Sequence, residues 1–275
     1  MTRIALFQST TGIDPAANAA ALVDAIEQAA AGGAEMLFTP EMSGLLDRDS
    51  ARAAKILRRQ QEDEVLAAAQ KAAADQHIWL HIGSLAVLAH DEKVANRGFV
   101  IDREGRIRAS YDKIHLFDVD LPTGESWRES NVYSAGSDAV VVNGTPVGKI
   151  GLTICYDLRF PGLFARLAES DADLIAVPAA FTVPTGKAHW HVLLRARAIE
   201  AGLFVVAAAQ VGHHEDGRNT FGHSLVVDPW GEVLLDMGEE KGVGFADIDL
   251  KRISDVRARI PALNHRRPIP EAVSR

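Results

Sequence analysis

The chain has only one cysteine, Cys155, in 275 residues. A single cysteine cannot close an internal disulfide, so the fold does not require an oxidising compartment. Long hydrophobic runs are also lacking, because the most apolar stretch, residues 174–186, is short and contains Pro178 and Pro184. The first ten residues, MTRIALFQST, show neither the apolar core nor the cleavage site of a signal peptide. Together these absences predict a cytoplasmic protein.

Basic residues are also fewer than acidic residues. The chain has 29 Lys and Arg residues against 37 Asp and Glu residues, a net charge of −8 at pH 7. This balance favours solubility and argues against nucleic acid or an anionic membrane as a partner. Apolar residues make up 47% of the chain, which is ordinary for a globular protein with a large core. No linker, low-complexity tract or shift in composition divides the sequence, so residues 1–275 are predicted to form a single domain.

Short β-rich runs alternate with Ala-rich helical segments along the whole chain. Helices are predicted over residues 14–33, 62–76, 161–169 and 188–202, with a short basic helix starting near Leu250. Strands are predicted over residues 3–8, 34–40, 78–84, 96–102, 106–111, 139–143, 149–155, 172–178, 203–210, 222–228, 232–236 and 243–249. Residues 32–42 and 170–181 repeat one strand pattern after a helix. The predicted fold is therefore α/β, a four-layer α-β-β-α sandwich.

Three reactive residues lie at or just past the ends of predicted strands, where α/β sheets collect their ligands. Glu41 follows AEMLFTP, Lys113 follows RIRASYD, and Cys155 ends KIGLTIC. Each one also has an ordinary structural interpretation. Cys155 can be a small core residue, Glu41 a solvated charge, and Lys113 an exposed lysine paired with Asp112. Taken singly, none of the three establishes a site.

Taken together, the three residues predict a thiol hydrolase that needs no metal or organic cofactor. Glu41 would accept the thiol proton and later activate water, and Lys113 would stabilise the charge that forms on the substrate oxygen. The backbone N–H of Tyr156, in the turn after Cys155, is a natural second donor to that oxyanion. Phe181, just past a strand end, is a candidate wall of the substrate pocket.

The blocks around these residues resemble the nitrilase, or carbon–nitrogen hydrolase, superfamily. FTPEMSG resembles its glutamate block, YDKIHLFDVDLP its lysine block and GLTICYDLRFPGL its cysteine block, and the similarity extends from about Arg3 to about Pro268. The resemblance implies a Glu41–Lys113–Cys155 triad, an α-β-β-α sandwich that pairs into dimers or larger assemblies, and hydrolysis through a thioester. It also implies a substrate-positioning role for Glu129, which chemistry alone would leave as a surface acid.

Within the superfamily, FDVDLP, HWHVLLRARAIE and AAAQVGHHEDGRNTFGHSLVVDPWG are most similar to the branch of ω-amidases and deaminated glutathione amidases. This branch implies a small carboxylated amide as substrate, with deaminated glutathione favoured. An α-ketoglutaramate-type amide or an N-carbamoyl amino acid stays open. Several arginines are available to bind a carboxylate: Arg159, Arg195, Arg197, Arg266 and Arg267. The chain beyond about residue 260 is expected at an oligomer interface.

Other functions fit less of the sequence. A Cys–His hydrolase is the nearest rival, with five candidate bases: His115, His189, His191, His223 and His265. A serine hydrolase is weaker, because GHSLV around Ser224 lacks the second glycine of the G-x-S-x-G turn. The pairs HWH and GHH lack further ligands at metal spacing, so no metal site is predicted. A non-catalytic binding scaffold of the same fold is the alternative from another class, and the complete triad argues against it.

Overall fold

The computed structural model describes residues 1–89, 93–120, 124 and 126–274. Leu121 and Pro122 of the FDVDLP segment lie outside the described residues. The helices are α1 (Pro15–Ala31), α2 (Ser50–Ile56), α3 (Glu64–Gln76), α4 (Pro161–Glu169), α5 (Val183–Ala201) and α6 (Lys251–Arg259). No helix of the described part is long and apolar enough to span a membrane.

The strands form two large sheets and two hairpins. Their bounds are β1 (Thr2–Gln8), β2 (Met36–Phe38), β3 (Trp79–Leu88), β4 (Val94–Ile101), β5 (Ile107–Asp112), β6 (Asp118–Asp120), β7 (Ser126–Arg128), β8 (Tyr133–Ser134), β9 (Val141–Thr145), β10 (Gly148–Leu152), β11 (Leu174–Ala176), β12 (Phe204–Ala207), β13 (Val211–His213), β14 (Asn219–Phe221), β15 (Leu225–Val227), β16 (Val233–Asp236) and β17 (Gly242–Ile248). The first sheet has the order β17-β1-β2-β3-β4-β5, with β8 beside β4. The second has the order β16-β15-β12-β11-β10-β9.

Side-chain alternation along the central strands assigns the two faces of the first sheet. Ile4 and Leu6 of β1 belong to the core cluster that also contains Ile150 and Leu152 of the second sheet. Ala5, between them, belongs to a separate cluster with the buried residues of α1 and α3. Since successive strand residues point to opposite faces, the first sheet has helices on one side and the second sheet on the other.

Helices α4 and α5 cover the other face of the second sheet. Phe164 of α4 and Trp190 of α5 are buried in the same cluster as the strand residues Ile175 and Val205. The layers therefore run α1/α3, first sheet, second sheet, α4/α5, and the predicted four-layer sandwich is confirmed.

The central strands of each sheet run parallel and end at the site. In the first sheet β1, β2 and β3 are parallel, with Ile4 opposite Met36 and Met36 opposite Trp79. In the second sheet β10, β11 and β12 are parallel, with Ile150 opposite Leu174. Parallel strands present their carboxyl ends on one edge, which is where α/β proteins bind ligands.

Candidate active site

Glu41, Lys113 and Cys155 come together between the two sheets. Glu41 follows the loop after β2, Lys113 follows the last residue of β5, and Cys155 begins a short 3₁₀ turn after β10. All three are buried, with exposed fractions of 4%, 2% and 7%. The structure thus places side chains that are far apart in sequence within one small volume.

The cysteine does not end its strand as the sequence predicts. Strand β10 stops at Leu152, and Cys155 opens the turn Cys155–Arg159 with φ of +50°. A non-glycine residue in this left-handed region is strained, and such strain is concentrated at functional sites. The backbone N–H of Cys155 is already bonded to the carbonyl of Pro178 at 2.8 Å. Tyr156 therefore provides the next N–H along the turn.

Asp157 holds this turn against the segment that carries the lysine. Its buried carboxylate accepts hydrogen bonds from the Tyr111 hydroxyl at 2.7 Å, from the Ile154 N–H at 2.8 Å and from the His115 N–H at 3.1 Å. The His115 ring also bonds to Asp157 at 2.7 Å. One carboxylate thus couples the cysteine turn to the chain on both sides of Lys113.

Lys113 lies between two carboxylates. Its Nζ is 2.9 Å from Glu41 Oε1 and 2.9 Å from Glu129 Oε2. Burial alone would lower the pKa of this lysine, but the charges of Glu129 and Glu41 outweigh burial and hold the pKa well above its ordinary value. Nζ also lies 3.2 Å from Glu129 Oε1, so its three N–H donors face three carboxylate oxygens.

Glu41, Lys113 and the Ala180 backbone N–H all influence the pKa of the Cys155 thiol. Burial raises the pKa of Cys155 well above its ordinary value, and the charge of Glu41 raises it further. The Lys113 charge acts in the opposite direction without cancelling these effects. Burial and the neighbouring Glu41 charge thus both favour the neutral thiol form of Cys155.

Asn96 and Ala180 complete the surroundings of Glu41, and sequence reasoning missed both. Asn96 Nδ2 donates to Glu41 Oε1 at 3.0 Å and to Glu129 Oε1 at 3.1 Å. The N–H of Ala180 donates to Glu41 Oε2 at 3.0 Å. The only available signal for Asn96 is its place as a polar residue on the buried strand β4. Ala180 acts through its backbone, which no side chain identifies.

Glu129 and Phe181, the other two predicted site residues, both lie at the site. The Glu129 carboxylate accepts from Lys113, Asn96 and the backbone N–H of Phe117. Phe181 is 7% exposed, and its ring packs against Trp190 with centroids 4.8 Å apart. Because Ala180 directly precedes it, Phe181 is held close to the Glu41 carboxylate.

Arg159 is the predicted arginine that lies beside this site. Its guanidinium is 5.6 Å from the centre of the Phe181 ring and 6.0 Å from that of Tyr156, and it contacts His189 Nδ1 at 3.3 Å. Within the described residues it has no carboxylate partner. Two other candidates are engaged elsewhere, since Arg195 donates to the Gly231 carbonyl and Arg197 to that of Leu158.

Several residues that a Cys–His or a serine hydrolase would use are hydrogen-bonded to structural groups. His115 is bonded to Asp157 and stacks on Phe160 with centroids 3.6 Å apart. Ser224 is fully buried and bonded to Gln8 at 2.7 Å. His191 and His223 both bond to Asp236, at 3.0 and 2.9 Å, which ties α5 and the segment between β14 and β15 to β16. The charged groups that influence the pKa of the Cys155 thiol are Glu41 and Lys113.

A buried thiol, a carboxylate and a lysine thus lie close together, and comparisons with known proteins give the class of the chain. The carbon–nitrogen hydrolase family model matches residues 3–258, so the chain belongs to the carbon–nitrogen hydrolase family. It is 36% identical over 275 residues to the deaminated glutathione amidase of Yersinia enterocolitica, covering 99% of this chain and 95% of the relative. The predicted superfamily and the predicted type of enzyme, an amidase, are confirmed.

Solved structures of known proteins also resemble this chain. The NitFhit protein of Caenorhabditis elegans has a TM-score of 0.90 and 38% sequence identity, and the match covers 97% of this chain and 65% of that one. An amidase of Nesterenkonia sp. has a TM-score of 0.79 and 28% identity, covering 95% of this chain and 98% of that one. That structure shows acrylamide added at the amidase's active-site cysteine.

Proposed function

We propose that this protein is a cysteine amidase that hydrolyses a small carboxylated amide of the deaminated glutathione type through a thioester. The observation that carries the proposal is the buried Cys155 thiol beside Glu41 and Lys113, with Lys113 held by two carboxylates. The relative from Yersinia enterocolitica, named a deaminated glutathione amidase, supports the choice of substrate.

In the first half-reaction Cys155 Sγ attacks the amide carbon while its proton moves to Glu41. The C=O π bond opens to an oxyanion, which Lys113 Nζ and the Tyr156 N–H bind. Glu41 then gives the proton to the amide nitrogen, the C–N bond breaks, and ammonia or an amine leaves. The acyl group remains on Cys155 as a thioester.

In the second half-reaction water replaces the amine. Glu41 takes a proton from water as its oxygen attacks the thioester carbon, and the same two donors bind the new oxyanion. The C–S bond then breaks, the sulfur recovers the proton from Glu41, and the carboxylic acid leaves. Glu129 and Asn96 position Lys113 and Glu41 throughout by their hydrogen bonds.

Arg159 is the residue we assign to a substrate carboxylate on the acyl side. It follows Cys155 by four residues in the same short turn and has no carboxylate partner among the described residues. A guanidinium binds a carboxylate through two parallel hydrogen bonds. The rings of Phe181 and Tyr156, which Arg159 contacts, would line the acyl part of the substrate.

The proposal also includes self-association of the protein and a cytoplasmic location. Exposed apolar side chains of α5 and its neighbours support self-association: Val192, Ile199, Trp230, Leu234 and Ile260. Ile199, Trp230 and Ile260 line one groove together with Ala262 and Leu263, which supports an interface that includes the chain beyond residue 260. The single cysteine and the net negative charge support a cytoplasmic location.

The test is a panel of amides assayed by release of ammonia or amine. It compares deaminated glutathione, α-ketoglutaramate, N-carbamoyl amino acids and aliphatic nitriles. We expect deaminated glutathione to exceed the others by about tenfold in kcat/KM, which corresponds to about 1.4 kcal/mol in the transition state. A last place for deaminated glutathione would overturn the choice of substrate.

Two variants test the chemistry. Lys113→Ala should abolish turnover in a protein whose circular dichroism is unchanged, whereas His115→Ala should retain most of it. The reverse result would favour a Cys–His mechanism. Intact-protein mass spectrometry with a slow amide should detect an acyl adduct that Cys155→Ala prevents. Failure to trap any adduct on the wild-type protein would favour a non-catalytic scaffold.

A further inference from the structure

A row of aromatic rings leads away from the cysteine turn. Tyr156 is followed by Phe117, with ring centroids 5.1 Å apart, and Phe117 by Trp127 of β7, at 6.3 Å. These three residues form the aromatic rim. Phe117 is tied to the site because its backbone N–H donates to the Glu129 carboxylate at 2.6 Å. The middle of the rim is therefore connected to Glu129, which contacts Lys113.

At the far end of the rim, Trp127 contacts two guanidinium groups. Arg218 lies 4.9 Å and Arg48 lies 5.2 Å from the centre of its ring. The charge of Arg218 is already paired, because its Nε donates to Asp216 at 2.7 Å. Asp216 also accepts the backbone N–H of Arg48, at 3.0 Å, but not its guanidinium. Arg48 is exposed, and its guanidinium meets no carboxylate anywhere in the described chain.

The same tryptophan carries an unsatisfied donor. Its Nε1–H is buried and has no acceptor within the described residues. Leaving a buried donor without a partner is unfavourable, so a ligand oxygen at this point would be favoured. A buried N–H beside an unpaired guanidinium suits a carboxylate, because charge-assisted hydrogen bonds are the strong ones.

We propose that Arg48 and Trp127 bind a carboxylate on the amine half of the substrate, the half that leaves when the thioester forms. This inference rests on the proposed function. Arg159 lies in the cysteine turn itself, which suits the acyl half that stays bound. Arg48 lies two rings further along the rim, which suits a longer leaving group. In deaminated glutathione that group is cysteinylglycine, a dipeptide with a free carboxylate, whereas α-ketoglutaramate releases only ammonia.

The experiment compares three substrates that share the α-ketoglutaryl group. One carries cysteinylglycine with a free carboxylate, one carries the same dipeptide as its terminal carboxamide, and one is α-ketoglutaramate. The wild-type enzyme should prefer the free carboxylate over the carboxamide. In Arg48→Ala this preference, the ratio of the two kcat/KM values, should fall about tenfold, mainly because KM rises for the free carboxylate.

Trp127→Phe keeps a ring for Arg48 to stack on but removes the N–H donor, so it should lower the same ratio by a smaller factor. Arg108→Ala is the matched control, because Arg108 is also exposed and lies over a tryptophan, Trp79, at 5.9 Å on the first sheet. It should leave the ratio unchanged. Unchanged ratios in both Arg48→Ala and Trp127→Phe would overturn the inference while leaving the amidase proposal intact. An enzyme that hydrolyses none of the three amides would overturn the proposed function itself.

Discussion

At the scale of single residues, the site contains three ionisable side chains, and burial would disfavour the charged form of each one if it were alone. Glu41, Glu129 and Lys113 share hydrogen bonds, so the lysine charge is compensated on two sides. The extra negative charge beside Cys155 helps to keep the thiol protonated. This arrangement supports the proposal that Glu41 accepts the thiol proton.

His81, in the middle of β3, gives a prediction about acid stability. Burial lowers the pKa of this histidine from 6.5 to about 3. Its contribution to the free energy of unfolding is therefore complete above pH 6.5, where both states are neutral. It is lost as the pH falls toward 3, because only the unfolded chain binds the proton. The slope from this group approaches 1.4 kcal/mol per pH unit.

Urea unfolding between pH 7 and pH 4 measures that slope. His81→Gln should give a shallower fall in the free energy of unfolding than the wild type. The exposed His265 supplies the control, and His265→Gln should match the wild-type slope. Equal slopes for wild type and His81→Gln would show that His81 is protonated in the folded protein.

At the scale of elements, the site depends on how closely two loops approach Gly83 of β3. A Cβ placed there would lie 2.2 Å from the Thr39 carbonyl oxygen, 2.4 Å from Pro178 Cβ and 2.5 Å from the Pro40 carbonyl oxygen. Thr39 and Pro40 lead directly to Glu41, and the Pro178 carbonyl accepts the N–H of Cys155. The missing side chain therefore allows the loops that carry Glu41 and Cys155 to approach each other.

Gly83→Ala should separate these loops. We expect a loss of about 1–3 kcal/mol in the free energy of unfolding and a fall of about 100-fold in kcat/KM, because a shift of about 1 Å at a catalytic group has that effect. Gly162→Ala is the control, since a Cβ at that position in α4 meets nothing within 4 Å. It should keep full activity. Wild-type activity in Gly83→Ala would contradict the argument.

Secondary structure was predictable where local signals are strong. Pro161 at the first position marks α4, and the predicted bounds match those observed. Helix α5 begins at Val183, five residues earlier than predicted. Pro184 lies in the first turn of the helix and not in the loop before it. The β6–β7 hairpin was not predicted at all, since DVD and SWR are short and polar or mixed. The contacts of Trp127 could therefore not be predicted from the sequence.

At the scale of the whole molecule, the exposed apolar side chains of α5 and the β15–β16 loop predict self-association. Val192 and Ile199 are 68% and 53% exposed and lie seven residues apart on α5, so they share one face. Trp230 is 49% exposed and lines a groove with Ile199. An apolar face of this kind is typical of a surface that binds a partner.

Light scattering coupled to size exclusion measures the assembly. The wild-type protein should elute with at least twice the mass of one chain, and the double variant Ile199→Lys with Trp230→Lys should shift toward the monomer. Ala20→Lys, on the exposed side of α1 in the opposite outer layer, should not change the mass. A monomeric wild-type protein would overturn the proposal of an oligomer.

The sequence by itself determined the class of fold through its local periodicity, and it indicated the family through the resemblance of its three motif blocks. It also made Glu41, Lys113 and Cys155 candidates, because they lie next to predicted strand ends. Only the tertiary structure decided the rest. Asn96, Ala180, Arg159 and the Arg48–Trp127 pair derive their chemistry from neighbours that are distant in sequence. Burial, hydrogen bonding and the direction of a pKa shift are properties of those neighbours, and packing of the two sheets alone brings them together.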